Sequence, residues 1–235
     1  VIQHEVPVVA VVVAAGSGSR LGAAVPKALV PLGGVPLVRR AVDALVAGGA
    51  QAIVVTVPAE RAAEVEDALD GVAAPVRCVP GGATRQESVR IGLSELGAAD
   101  DAIVLVHDAA RALIPPDVVS AVAAAVRTSG EAVVPVLPVV DSIREVGEHS
   151  SRVVDRGRLR SVQTPQGARM WQLRAAHDRI AADGVEVTDD AAACEYVGIP
   201  VTLVAGHRDA MKITEPVDLI LAEALLAHRT AGARP

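Results

Sequence analysis

The chain of 235 residues has no phenylalanine, and Trp171 and Tyr196 are its whole aromatic complement. Neither lies in a glycine-rich segment, which excludes an obvious aromatic platform for stacking a nucleobase at those loops. Positive charge is not in excess either: 22 Lys and Arg stand against 28 Asp and Glu, for a formal charge of −6. That balance gives no global electrostatic reason to bind nucleic acid or an anionic membrane, and leaves room for a local cationic pocket. Cysteine is scarce. Cys78 and Cys194 are expected as two ordinary buried thiols without a disulfide, which favours a reducing compartment and makes the cytoplasm the expected location. Long apolar runs are missing too: residues 6–15 are too few to cross a bilayer and are expected to be neither anchor nor signal peptide.

What is present is a large apolar fraction, 51% of residues, which excludes disorder. For a chain of this mass roughly 70% of the extended surface can be buried in one core, enough for a single α/β domain. Residues 8–13, VVAVVV, are apolar without alternation, as expected for a strand covered on both faces in a parallel sheet. Residues 37–46 carry apolar positions at helical spacing, end at Gly48 and Gly49, and lead into a second strand at 52–57, which makes a βαβ unit. The alternation predicts helices at 60–69, 85–96 and 116–127 and strands at 76–79, 102–106 and 132–136. Residues 139–163 break the pattern: Ile143, Val146, Val153 and Val154 are scattered among Arg, Glu, Ser and Gly, which fits a β-hairpin or projecting arm. Helical spacing resumes at 171–180 and 217–226, a strand is expected at 201–204, and 191–197 is ambiguous. The expectation is one domain over 1–235 with an inserted arm at 139–164.

The first functional signal is AAGSGSRLG at 14–22, directly after the first strand. An open α/β sheet presents such a loop to ligands at its carboxyl edge. Gly16 and Gly18 let backbone N–H groups approach a phosphate without a Cβ clash, and Arg20 and Lys27 add charge. A tight strand-to-helix turn with solvent-facing cations is the plain alternative. Leu21 stands where a dinucleotide fingerprint needs a small residue, and Lys27, between Pro26 and Ala28, does not complete a Walker sequence.

Further segments follow in order: GGATRQESV at 81–89, HDAAR at 107–111, DSI at 141–143, VDR at 154–156, TPQ at 164–166, TDD at 188–190 and KIT at 212–214. Together with the glycine loop and the Pro-Lys pair, they make the chain resemble the 2-C-methyl-D-erythritol 4-phosphate cytidylyltransferase family over almost its whole length. The resemblance implies a predominantly parallel, Rossmann-like nucleotidyltransferase sheet flanked by helices, with an extended β arm. It implies transfer of a cytidylyl group from CTP to methylerythritol phosphate in non-mevalonate isoprenoid biosynthesis, forming CDP-methylerythritol and pyrophosphate. Another pyrimidine-nucleotide-dependent sugar-phosphate nucleotidyltransferase is the competing enzyme reading. A nucleotide sensor without turnover, or a scaffold, stands outside enzymology.

By the same resemblance, Arg20 meets the leaving polyphosphate while Lys27 and Lys212 approach the α-phosphate. Ala14, Ala15, Gly16, Gly18, Gly82 and Ser88 hold the nucleotide, and Asp108 organises substrate or its metal. Arg111, Ser142, Arg156, Thr164 and Thr188 serve the methylerythritol phosphate side, some of them across a homodimer joined by the arm. Relatives often carry an acid where Ala83 stands, and alanine has no carboxylate to make the ribose contact that acid would offer. Magnesium is the expected ion, held mainly by substrate phosphates and water. Asp108 and Arg111 could instead form a structural salt bridge, and His107 is expected to pack or turn the chain. Asp189 and Asp190 are expected as helix caps or solvated acids, with no metal role.

Overall fold

The computed structural model describes residues 6–16, 21 and 25–232. In chain order, β1 (Val8–Val13) precedes a small hairpin of β2 (Pro31–Leu32) and β3 (Val35–Pro36), then α1 (Leu37–Ala47), β4 (Ala52–Val57), α2 (Ala62–Ala68), β5 (Val76–Pro80), α3 (Arg85–Glu95) and β6 (Ile103–Asp108). The second half runs α4 (Pro116–Ser129), β7 (Ala132–Pro138), a hairpin of β8 (Ile143–Val146) and β9 (Ser151–Val154), β10 (Arg160–Val162), β11 (Gln166–Arg169), α5 (Met170–Asp183), α6 (Asp190–Tyr196), β12 (Val201–Ala205) and α7 (Pro216–Gly232).

The main sheet has the order β10-β7-β11-β6-β1-β4-β5, with β12 also paired to β7. β1 lies between β4 and β6, parallel to both, and alternation divides its side chains between two cores. Ala10 and Val12 pack with Val38, Val42, Val119 and Val122 of α1 and α4. Val9 and Val11 pack with Val89, Leu93, Leu173 and Ile180 of α3 and α5 on the other face. An all-apolar strand is required because each residue is needed on one face or the other, and each fully buried valine contributes about 1.5–3 kcal/mol.

The structure corrects several boundaries. The helix expected at 60–69 opens as a 3₁₀ turn, Ala59–Arg61, because Pro58 precedes it, and only then becomes α2. β6 runs two residues past the expected end, so His107 and Asp108 are strand residues and not loop residues. The ambiguous stretch 191–197 is helical, since Asp189 accepts a hydrogen bond from Ala192 N–H at 2.8 Å and caps α6. Within the expected arm at 139–164, the β8–β9 hairpin projects, while β10 rejoins the main sheet antiparallel to β7.

β11 has no counterpart among the expected elements. It inserts between β6 and β7, antiparallel to both, and makes that half of the sheet mixed. Its four residues, QGAR, carry no apolar pattern because Gly167 faces α4: a Cβ there would come within 2.8 Å of Val122 Cγ1 and 3.0 Å of Val126 Cγ2. Val162 faces Val136 and Gly167 faces Val133, so five steps of one strand oppose three of the other. The surplus falls around Thr164 and Pro165, beside the end of β6.

Candidate active site

The carboxyl ends of β1 and β6 open into a cavity of about 310 Å³. After β1 the chain leaves the strand as Ala14, Ala15 and Gly16, and Ala14 N–H donates to Thr56 O at 2.8 Å, which ties this exit to β4. Opposite it, Gly82 and Ser88 come from the turn and first helical residues of α3. Ser88 Oγ accepts from Gly82 N–H at 3.1 Å and donates to Thr84 O at 2.9 Å, so a buried hydroxyl shapes this wall. Thr84 caps α3 by accepting from Glu87 N–H at 3.1 Å, and Glu87 reaches back to accept from Ala83 N–H at 2.8 Å. Lys27 enters from the 3₁₀ turn Lys27–Leu29 and lines the same cavity.

Asp108, the last residue of β6, and Lys212 meet at the cavity floor, with Lys212 Nζ 2.8 Å from Asp108 Oδ2. They are 104 positions apart in the chain and are joined by backbone: Ile213 N–H donates to Ala110 O at 2.9 Å, and the Ile213 side chain is buried among Leu32, Leu37 and Leu113. The other Asp108 oxygen accepts from Arg85 Nε at 3.1 Å. Burial pushes the Asp108 carboxyl upward, but Arg85 and Lys212 outweigh it and hold the group ionised, well below the usual carboxylate range. Arg85 is likewise held charged: burial opposes its charge, and Asp190 and Asp108 more than compensate.

The salt bridge weighed between Asp108 and Arg111 gives way to these partners. Arg111 turns its guanidinium to carbonyls, donating to Ala210 O at 2.8 Å and to Val162 O at 3.3 Å. Thr164 is buried beside β6, and its Oγ1 accepts from Asp108 N–H at 3.1 Å and lies 3.0 Å from His107 Nδ1. His107 is fully buried, and desolvation lowers it to about 4. Asp190 is not a solvated acid: it is buried, with Oδ2 accepting from Arg85 Nη2 at 2.8 Å and Oδ1 accepting from His177 Nε2 at 3.1 Å.

Of the residues singled out from sequence, the structure brings Ala14, Ala15, Gly16, Lys27, Gly82, Ser88, Asp108 and Lys212 around one cavity. Arg111, Ser142, Arg156, Thr164 and Thr188 do not line it. Ser142 and Arg156 are exposed at the root of the hairpin, where Arg156 donates to Val140 O, and Thr188 lies just before the α6 cap. Gly18 and Arg20 lie outside the described residues. Sequence reasoning missed Arg85 and Thr214, which also line the cavity. Arg85 did carry a signal: a cation in the first turn of a helix opposes the helix dipole and calls for a nearby anion.

Among the described residues no group of three His, Cys, Asp or Glu side chains could hold a metal ion, and Asp108 is the one carboxylate on the cavity wall. Such a donor set suits a hard cation that keeps phosphate and water oxygens as most of its ligands. No helix among the described residues is long and apolar enough to cross a membrane.

Comparison with known proteins agrees with this geometry. The model of the 2-C-methyl-D-erythritol 4-phosphate cytidylyltransferase family (IspD) matches residues 8–228. The protein of that name from Streptomyces coelicolor is 49% identical over 233 residues, covering 94% of this chain and 85% of the relative. Its namesake from Nocardia farcinica is 51% identical over 227 residues, covering 95% and 96%. The crystal structure of the cytidylyltransferase from Thermus thermophilus superposes with a TM-score of 0.74 at 36% identity, covering 92% of this chain and 98% of that one.

Proposed function

This chain belongs to the 2-C-methyl-D-erythritol 4-phosphate cytidylyltransferase family, and we propose from its cleft how it transfers the cytidylyl group of CTP to 2-C-methyl-D-erythritol 4-phosphate. An oxygen of the polyol phosphate attacks the α-phosphorus of CTP, the bond from that phosphorus to the bridging oxygen breaks, and pyrophosphate leaves with the electron pair. The products are CDP-methylerythritol and pyrophosphate. A phosphate monoester has its second pKa at about 6, so the nucleophile arrives largely as a dianion and needs no protein base. The barrier is one of position and charge. Two anions must be held in line while charge grows on the transferred group and on pyrophosphate, which calls for fixed cations aimed at those oxygens.

Lys27 and Lys212 are the cations we assign to the α-phosphate, with Arg20 on the leaving polyphosphate. The backbone of Ala14, Ala15, Gly16 and Gly18 cradles the nucleotide, and Gly82 and Ser88 read the cytosine edge. Asp108 holds Lys212 and serves both substrates. Arg111, Ser142, Arg156, Thr164 and Thr188 are assigned to the polyol phosphate side. Magnesium fits here as an ion carried by phosphate and water oxygens near Asp108, and when bound it would neutralise charge on the triphosphate.

We further propose a cytoplasmic homodimer. The β8–β9 hairpin leaves Val146 and Val153 exposed, which a second copy of the chain would cover, and the same contact would carry Ser142 and Arg156 towards the neighbouring cleft. The observation that carries the catalytic reading is the convergence of Gly16, Lys27, Gly82, Asp108 and Lys212 on one cavity from separate segments of the chain. The test is pyrophosphate release by the purified chain with magnesium, CTP and methylerythritol phosphate, omitting each in turn. Release only with the full set, and its loss with UTP or a hexose phosphate, is expected. Equal turnover with those substitutes would overturn the specificity.

A further inference from the structure

Behind the cavity wall the polar side chains form a single file. His177 Nε2 donates to Asp190 Oδ1 at 3.1 Å, and Asp190 Oδ2 accepts from Arg85 Nη2 at 2.8 Å. Arg85 Nε donates to Asp108 Oδ1 at 3.1 Å, and Asp108 Oδ2 holds Lys212 Nζ at 2.8 Å. Each carboxylate spends one oxygen on each neighbour, so the file has a direction and two ends. One end, Lys212, stands in the cleft with its side chain 43% exposed, while the other, His177, is 1% exposed in α5. His177 and Asp190 are both buried and neither lines the cavity.

A lysine in a cleft has a flexible stem, and its rotamer entropy favours its wandering. Preorganised electrostatic stabilisation requires the opposite, a cation already fixed where charge will develop. Asp108 alone is a weak guide, since a carboxylate gripped from one side can rotate. Arg85 grips it from the other side, and Arg85 is itself oriented because Asp190 holds a second nitrogen of its planar fork. Asp190 in turn is fixed by His177. Being ionised, Asp190 can only accept, so His177 Nε2 is the donor of this bond, while His177 Nδ1 has no partner among the described residues.

We propose that His177 and Asp190 are positioning residues for the transfer reaction, acting through Arg85 and Asp108 to hold Lys212 at the reacting phosphate. The proposal rests on the assignment of Lys212 given above. Neither residue touches substrate; their contribution is the orientation of a cation several bonds away, and a misplacement of about 1 Å at a reacting centre can cost about 100-fold in rate.

The test compares His177→Leu, His177→Asn and His177→Gln in the full chain. Glutamine can present an N–H where Nε2 stands, whereas asparagine is too short to reach Asp190 and leucine has no donor. Loss of the donor is expected to lower kcat by about tenfold with KM for CTP and for the polyol phosphate within about twofold, and glutamine is expected to restore most of kcat. Thermal melting, run in parallel, reports folding separately. If leucine and glutamine give the same kcat per folded molecule, or if KM rises while kcat holds, the positioning role is wrong. Asp190→Asn, which keeps shape and removes charge, should follow leucine. A crystal structure of the His177→Leu chain gives a readout without turnover: Arg85 should leave Asp108 and Lys212 should lose its 2.8 Å contact. An unchanged Arg85, Asp108 and Lys212 arrangement overturns the proposal. An inactive wild-type chain would count against the assigned reaction alone, because the crystallographic comparison still decides the positioning role.

Discussion

Thr164 Oγ1 accepts a hydrogen bond from the backbone N–H of Asp108 at 3.1 Å, across the strand boundary where β11 begins beside the end of β6. The last backbone donor of β6 thus depends on a side chain, and the carboxylate that it carries faces the cleft. Replacing Thr164 by valine keeps the shape and leaves a buried N–H unpaired, at a cost of about 1–3 kcal/mol. Urea denaturation of Thr164→Val should register that loss, while Thr164→Ser, which keeps the hydroxyl, should lie much nearer the wild type. Equal stability of the two variants would mean that the bond contributes nothing.

Lys27 and Lys212 should separate chemistry from folding. Lys212 is partly exposed and its neighbour Ile213 provides the local packing, so Lys212→Ala should leave the chain folded, with a melting temperature lowered by the loss of one of the two cations that hold the buried Asp108. Removing a cation aimed at transition-state charge typically costs about 100- to 1,000-fold in kcat, and a fall of that order is expected for Lys212→Ala and for Lys27→Ala. Steady-state pyrophosphate release with a melting curve on the same samples checks both. A variant with normal kcat would remove its lysine from the phosphorus.

The parts of the fold that were legible in the sequence are those where one physical demand acts on consecutive residues. VVAVVV at 8–13 has to satisfy two cores at once, and its uniform composition says so. Ala14, Ala15 and Gly16, the start of the glycine loop, could be placed on the ligand edge because they follow the strand directly, whereas the direction from which Lys27 returns to them could not be read from Pro26 alone. β11 was illegible because it is short and central, and Gly167 is dictated by the approach of Val122 from a helix more than forty residues earlier. Asp190 misled for a similar reason. An acid at a helix start reads as a local cap, and only tertiary packing places it against Arg85 and His177. The arm was visible as a loss of pattern, but the return of β10 to the main sheet depends on pairing with β7, which no local signal encodes.

The buried His107 sets a pH dependence on stability. Its folded pKa is lowered to about 4 by desolvation, against about 6.5 for an unfolded histidine. Between those values the unfolded chain binds a proton that the folded chain refuses, so stability falls as pH drops from 6.5 towards 4, by about 1.4 kcal/mol per unit and about 3 kcal/mol in all. Asp108 and Asp190 act lower: their depressed folded values contribute stability that is fully present above the ordinary carboxylate range and lost on further acidification. Urea titrations at pH 7, 5.5 and 4.5 should show the first loss in the wild type and a flatter profile in His107→Gln. Parallel profiles would mean that His107 is not its source.

The hairpin offers a test of assembly. In the β8–β9 register Arg144 faces Val153 and Val146 faces Ser151, so Val146 and Val153 share a face, 80% and 67% exposed. Changing both to serine removes apolar surface that nothing in the single chain covers, and should therefore leave the melting temperature of a monomer unaffected. Light scattering after gel filtration should give twice the chain mass for the wild type and the single-chain mass for the double variant. A dimer that survives both changes would locate the interface elsewhere.

Gly81 tests how tightly the nucleotide wall is built. A Cβ at this position would stand 2.4 Å from the Ala15 Cβ and 3.0 Å from Ser88 Oγ. Neither neighbour is the far end of a long side chain that could swing aside, so Gly81→Ala must part the loop after β1 from the turn before α3. Those two segments are the walls assigned to cytosine and to the triphosphate backbone. The change should therefore raise KM for CTP by about tenfold, corresponding to about 1.4 kcal/mol, with a smaller effect on KM for the polyol phosphate, which is assigned to the other side of the cleft. Titration with CTP at saturating polyol phosphate, and the reverse, separates the two. An equal rise in both constants would show that the loops close the cleft as a whole and do not specifically form the nucleotide side.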